Sequence, residues 1–134
     1  MHRPAMRLAG PVIGSADPLR LAEFYAKLLG WPVTDREHAG TDGATQDWAR
    51  IHSPSGDQKL EFQYEPDFTP PVWPPVKNEQ QMLMHLDIGV EDLEAGVASA
   101  VEAGATVAGY QPQKGVRVML DPAGHPFCLF PDQV

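Results

Sequence analysis

A carboxylate at position 61 lies in an alternating segment where it must face a different side from its neighbours. Leu60 and Phe62 flank Glu61, so an extended strand directs the carboxylate away from the apolar face. A charge held there without a partner is strongly destabilised. His85, Arg50, a metal ion or a cationic ligand are the partners that the sequence offers.

A histidine and an aspartate share the polar face of a second alternating segment. His85 and Asp87 alternate with Leu86 and Ile88. An imidazole that titrates near neutral pH serves as a metal ligand, a general base or a hydrogen-bonding wall residue. The alternative is a histidine satisfied by Asp87 or Glu61 across a strand pair.

An aromatic ring and a guanidinium share a face in a third segment. Trp48 and Arg50 are two positions apart in a predicted strand, an arrangement suited to stacking on a small ligand and pairing with its anionic group. The alternative is an ordinary surface cation packed on a sheet aromatic. The polar residues of these three segments form the candidate site, and the rest of the chain must fold so that they come together.

Composition limits the classes of function. The formal net charge of −8 has the wrong sign for binding a phosphate backbone, so nucleic acid is not expected as a partner. No apolar run is long enough for a membrane helix, and no apolar stretch of a signal peptide follows the basic N-terminus. The lone Cys128 excludes an internal disulfide and fits a reducing compartment, so we expect a cytoplasmic protein.

One structural unit occurs twice along the chain. Asp17 precedes an apolar helix pattern that ends at Gly30, and Asp92 precedes a second pattern that ends at Gly104. An alternating segment comes before each helix, and further alternating segments follow it. Each half therefore reads as strand, helix and three strands, and a tandem repeat organises the chain.

The two halves are joined by a proline-dense linker. We place module 1 at about 7–65, the linker at 66–81 and module 2 at about 82–131 within a single domain. Trp73 and Phe68 carry large apolar side chains, so we expect the linker to fold back over a sheet edge or over the mouth of a concavity. Burial in a dimer interface is the alternative.

Several motifs resemble the vicinal oxygen chelate superfamily of glyoxalase I, bleomycin-resistance proteins and extradiol dioxygenases. They are Leu29-Gly30-Trp31, Ala103-Gly104-Ala105 and the turn Asp121-Pro122-Ala123-Gly124-His125-Pro126-Phe127. The resemblance implies an α+β fold of two tandem βαβββ modules, which form a curved, partly open, eight-stranded barrel-like sheet with the helices outside. It also implies a homodimer, often with a cavity that both chains build.

The resemblance also implies where catalytic members hold a metal ion. The position in the first strand of module 2 falls on His85, and the position in the last strand of module 1 falls on Glu61. The two remaining positions fall on Gly10, which has no ligand atom, and on Cys128, where the metal enzymes usually have glutamate. A set of His85, Glu61 and Cys128 with an open fourth position would suit Zn²⁺, and Mn, Ni and Fe are the other candidate ions.

We therefore expect a small-molecule-binding glyoxalase-like protein with an incomplete metal site. The ligand would lie in the concavity between the modules, lined by Trp48, Arg50, Glu61, His85, Asp87 and Cys128. The alternative is a metal-dependent lyase, isomerase or dioxygenase that uses Glu61 and His85. The sequence alone does not decide whether the protein is an enzyme.

Overall fold

The chain folds as two similar modules, each with one helix and four strands. The first contains β1 (Val12–Ser15), α1 (Pro18–Leu29), β2 (Val33–Glu37), β3 (Trp48–His52) and β4 (Lys59–Tyr64). The second contains β5 (Asp87–Val90), α2 (Leu93–Ala103), β6 (Thr106–Val107), β7 (Arg117–Leu120) and β8 (Pro126–Pro131). The computed structural model describes residues 2–41, 44 and 46–134. The predicted repeat of strand, helix and three strands is confirmed.

The strands form two four-stranded sheets with matching topology. Their orders are β1-β4-β3-β2 and β5-β8-β7-β6. In both sheets the first strand is at an edge and pairs in parallel with the last strand of its module, while the other pairings are antiparallel. The sheets do not close into a barrel, and the predicted α+β class with two βαβββ modules is confirmed.

Each helix begins and ends at the predicted residues. The Asp17 side chain accepts a hydrogen bond from the Arg20 backbone N–H at 3.2 Å, and the Asp92 side chain accepts one from Ala95 at 3.2 Å. Gly30 ends α1 in the left-handed region at φ 70°, which a residue without a Cβ adopts at little cost. In the described part of the chain, neither helix has the length and apolarity needed to cross a membrane.

The apolar core is shared by the two modules. Phe24 and Tyr25 of α1 are buried, and the Tyr25 ring lies 5.8 Å from the Phe62 ring of β4 and 5.9 Å from the Phe127 ring of β8. One cluster of buried side chains includes residues of α1, α2 and both sheets. The helices therefore cover one face of each sheet and leave the polar side chains on the other face.

Two strands of the second module are shorter than their sequence patterns predict. The alternation begins at Met84, whereas β5 begins at Asp87. The Cys128 N–H donates to the Leu86 carbonyl at 2.9 Å, but Pro126 has no N–H with which to continue the ladder toward Met84. The strand predicted at 105–110 is reduced to β6. The Ala108 N–H still donates to the Val118 carbonyl at 3.0 Å, but the Gln111 side chain accepts from the Val118 N–H at 2.8 Å and donates to the Ala108 carbonyl at 2.9 Å, so these two groups do not bond to each other.

The linker folds back onto the second module, and we call residues 66–81 the strap. The Trp73 indole N–H donates to the Tyr110 carbonyl at 3.0 Å, and the two rings lie 6.1 Å apart. Nearer its start, the Phe68 ring lies 5.1 Å from the His125 ring. Both aromatic side chains thus fix the strap against the second module, beside the site described below.

Candidate functional site

Three of the predicted site residues meet on the polar face of the first sheet. The Arg50 Nε donates to Glu61 Oε1 at 3.0 Å, and the guanidinium carbon lies 4.7 Å from the centre of the Trp48 ring. Arg50 also donates to Asp35 at 2.9 Å. The predicted sharing of one face by Trp48 and Arg50 is confirmed, and Arg50 is one of the partners that Glu61 requires.

A second cation reaches the same carboxylate. Lys59 Nζ donates to Glu61 Oε1 at 2.8 Å, because positions 59 and 61 point to the same side of β4. The hydrogen bond from Lys59, followed by the one from Arg50, lowers the pKa of Glu61. Glu61 is therefore an ionised carboxylate that is already neutralised by protein cations.

We expect Glu61 to contribute to stability above its unfolded pKa of about 4.3, and this contribution to disappear as the pH falls through its lowered folded pKa. Glu61→Gln should lower the free energy of unfolding at pH 7 and reduce its further loss on acidification. Urea unfolding at pH 7 and near pH 3 measures both effects. Glu79→Gln, an exposed substitution in the strap, is the matched control. Equal acid sensitivity of wild type and Glu61→Gln would contradict this expectation.

The remaining predicted residues meet on the second sheet. His85 Nε2 lies 3.0 Å from Asp87 Oδ1. Ligand atoms of His85, Asp87 and Cys128 all lie within 4.8 Å of one another. Among the described residues this cluster does not include Glu61, so the structure does not group Glu61 with His85 as the resemblance implies. Metal binding by that pair stays a prediction.

The thiol of Cys128 lies in a partly buried position in this cluster. Burial, followed by the negative charge of Asp87, raises the pKa of Cys128. The side chain is therefore a protonated thiol at neutral pH unless a metal ion displaces the proton. A thiolate nucleophile is not favoured by this environment.

A small cavity of about 180 Å³ opens beside the cluster, between the strap and the polar face of the second sheet. Most of its lining is apolar, and the polar groups in it are an imidazole, a thiol and an amide. The lining residues are Trp73, Met82, His85, Pro112, Gln113, Val116, Val118, Pro126 and Cys128. We call this space the strap cavity.

A second space of about 300 Å³ follows the seam where β1 approaches the segment before β5. Both modules contribute to it, and it shares the walls His85 and Pro126 with the strap cavity. Its lining residues are Pro11, Val12, Ile13, Gly14, Tyr25, Met84, His85, Leu86, His125 and Pro126. We call this space the seam cavity.

A buried polar network closes one end of the seam. The Tyr25 hydroxyl donates to Asp121 Oδ2 at 2.7 Å, and His125 Nδ1 lies 2.8 Å from the same oxygen. His125 Nε2 lies 3.0 Å from the carbonyl of Gly14 in the other module. Burial, then Asp121, raises the pKa of Tyr25, so the phenol stays protonated and donates.

The sequence pattern identified His125 only as part of a turn and did not nominate Tyr25 or Asp121. The available signal was an aspartate at the start of a proline-glycine turn with a histidine four positions later. Nothing in that spacing indicated a helix residue 96 positions away as the third partner.

Comparisons with known proteins agree with this architecture. A family model described as a glyoxalase-like domain matches residues 11–130. The glyoxalase family protein from Enterococcus faecalis is 22% identical, with 92% of this chain and 96% of that chain covered and a TM-score of 0.65. The trypanothione-dependent glyoxalase I of Leishmania major is 22% identical, with 95% and 87% covered and a TM-score of 0.65.

A more distant neighbour was solved with a bound metal and ligand. It is the fosfomycin resistance protein FosX from Listeria monocytogenes with Mn(II) and 1S,2S-dihydroxypropylphosphonic acid, 10% identical, with 98% of this chain and 96% of that chain covered and a TM-score of 0.68. A comparison with curated proteins gives no match. Because these solved structures are at most 22% identical to this chain, their similarity establishes only the fold. The family model spans both modules and establishes the family. The chain therefore belongs to the glyoxalase-like domain family of the vicinal oxygen chelate superfamily, as its repeat and its Asp121–Phe127 turn predicted.

Proposed function

We propose that this protein binds a small organic molecule in the strap cavity. The observation that carries the proposal is the enclosure of an apolar space of about 180 Å³ between the strap and the second sheet, next to His85 and Cys128. Apolar cavities of about 150 Å³ accept an aromatic ring such as benzene. Sites of this kind combine an apolar lining with a few polar groups that orient the ligand.

The polar groups of the strap cavity suit one uncharged hydrogen-bonding function on the ligand. His85 uses Nε2 toward Asp87, which leaves Nδ1 for a ligand group. Cys128 offers a protonated thiol and Gln113 an amide. No Lys, Arg, Asp or Glu lies among the described residues that line this space, so a ligand charge would lose hydration without gaining a counterion.

Acetophenone is a suitable probe, because it combines one ring with one carbonyl. Titration followed by NMR should show saturable binding that shifts the resonances of Trp73 and Val118. Trp73→Ala should weaken binding by about tenfold or more, as truncation of a large aromatic side chain in a desolvated pocket commonly does. Absence of saturable binding, or binding unchanged in Trp73→Ala with its fold intact by thermal unfolding, would contradict the proposal.

We also propose that the protein is a homodimer and that the first sheet of one copy contributes Trp48, Arg50 and Glu61 to the ligand site of the other, with Arg50 and Glu61 still paired so that they add no unpartnered charge. The chain itself places these residues on a different sheet from His85, Asp87 and Cys128. Trp48→Ala distinguishes a ligand site shared between two copies from a site built by one chain, because this substitution weakens acetophenone binding only when the site is shared. Light scattering measures the oligomeric state, and a monomer would contradict the dimer.

A metal-dependent reaction is the second candidate function, and the cluster of His85, Asp87 and Cys128 favours it. One nitrogen, one oxygen and one sulfur donor within 4.8 Å fit Zn²⁺ better than Mn²⁺ or Mg²⁺, which prefer several oxygen ligands. A bound Zn²⁺ would act as a Lewis acid toward a ligand carbonyl. His85 and Cys128 line the strap cavity, so they would direct the metal toward the bound molecule, and the apolar walls would exclude water. A lyase or isomerase activity would be compatible with Zn²⁺, whereas a dioxygenase activity would need a redox-active ion such as Fe in its place.

A further inference from the structure

The strap cavity and the seam cavity share two walls. His85 and Pro126 line both spaces, so they form the boundary between them. A molecule whose polar group lies at His85 has apolar surface available on each side of it. We propose that the two spaces act as one two-part site for an elongated, uncharged molecule with a ring in the strap cavity, a central carbonyl or hydroxyl at His85, and an alkyl arm in the seam cavity.

The hydrogen bonds at the seam determine the chemistry of the arm. The Tyr25 hydroxyl is used by Asp121 at 2.7 Å. The His125 nitrogens are used by Asp121 at 2.8 Å and by the Gly14 carbonyl at 3.0 Å. The other described side chains of the seam cavity, apart from the shared His85, are aliphatic residues, proline and methionine. A polar arm would therefore lose hydrogen bonds to water, whereas an alkyl arm would not.

The lining also determines the charge of the ligand. Neither space has a Lys, Arg, Asp or Glu among its described lining residues. An anionic molecule would therefore find no cation within either cavity, and the overall charge of −8 would oppose its approach. This separates the inferred ligand class from the phosphonic acid present in the FosX structure.

This inference rests on ligand binding in the strap cavity, and a series of phenyl alkyl ketones tests the two separately. The series runs from acetophenone to hexanophenone at constant ring and carbonyl. Affinity measured by calorimetry should rise by about fourfold for each added CH₂ until the seam cavity is filled. Benzoate, the charged counterpart of acetophenone, should bind at least about tenfold more weakly.

Two matched substitutions block one cavity each. Val12→Trp places a large side chain in the seam cavity from a half-exposed position of β1, and Val116→Trp does the same in the strap cavity. Val12→Trp should leave acetophenone affinity unchanged and remove the gain from the longer chain. Val116→Trp should weaken all the ketones.

The outcomes are distinguishable. Acetophenone binding without a gain from chain length, or a gain that persists in Val12→Trp, overturns the two-part site and leaves the proposed function intact. A change of oligomeric state in Val12→Trp, measured by light scattering, also overturns it, because the seam would then be a contact between copies. Failure of acetophenone itself to bind contradicts both the proposed function and this inference.

Discussion

Asp121→Ala is expected to lower the free energy of unfolding by about 3 to 5 kcal/mol, the loss typical of removing one partner from a buried charged network. The Asp121 side chain has no exposed surface and accepts hydrogen bonds from the Tyr25 hydroxyl, two backbone N–H groups and His125. Alanine would leave the Tyr25 hydroxyl buried without an acceptor. It would also remove the link from the turn before β8 to α1 of the other module. Denaturant unfolding measures the loss.

Two controls separate the network from a general effect of losing an aspartate. Asp121→Asn keeps the volume and one carbonyl oxygen, so the loss should be smaller than for alanine. Asp67→Ala, an exposed substitution in the strap, should change stability by less than about 0.5 kcal/mol. A loss below about 1 kcal/mol for Asp121→Ala would mean that water satisfies the groups left behind.

The fold could be predicted largely from local patterns because its elements repeat. Asp17 and Asp92 both precede helices that end at glycine, and each aspartate side chain accepts a hydrogen bond from the backbone N–H three residues later. The alternation of side chains along a strand also predicted that Glu61 and Arg50 lie on the polar face, since successive side chains point to opposite faces regardless of tertiary context. The short β5 and β6 were not predicted, because they depend on which backbone groups of the neighbouring strand are free, as at Pro126.

The candidate site could be predicted only in part. The pairing of His85 with Asp87 was available from their spacing on one face, and the structure has that arrangement at 3.0 Å. The separation of Glu61 from this cluster could not be predicted, because it depends on how the two sheets are placed relative to each other. Glu61 lies on the first sheet, where it is paired with Lys59 and Arg50. A residue at a metal-ligand position of the family can bind a metal ion only if the residues around it are also arranged as in the family's metal enzymes.

Contacts between distant segments account for what the patterns missed. The strap cavity exists because Trp73 reaches the carbonyl of Tyr110, 37 positions away. Local periodicity carries no information about such pairs, although the apolar surface of Trp73 did indicate that the linker would fold back. The ligand site therefore depends on tertiary packing of the strap more than on any motif.

Zinc binding should depend on His85 and Cys128 and be independent of Glu61. His85→Ala and Cys128→Ser should each weaken Zn²⁺ affinity by about 100-fold or more, since loss of a direct ligand exceeds the 10- to 100-fold effect of losing an outer partner. Calorimetry measures the affinity. Co²⁺ as a substitute should give a thiolate charge-transfer band that Cys128→Ser removes. Asp87→Asn should weaken binding less, because its amide oxygen remains a possible ligand.

The raised pKa of Cys128 sets the pH dependence of this metal site. Because burial and then Asp87 favour the protonated thiol, Zn²⁺ must displace a proton, so affinity should increase as the pH rises. Calorimetry in buffers of different ionisation heat should detect proton release, and bound Zn²⁺ should slow alkylation of Cys128 by iodoacetamide. Glu61→Gln is the control, because Lys59 and Arg50 hold that carboxylate. If Glu61→Gln abolishes Zn²⁺ binding while Cys128→Ser leaves it unchanged, the metal lies with the pair implied by the resemblance, and the assignment to His85, Asp87 and Cys128 is wrong.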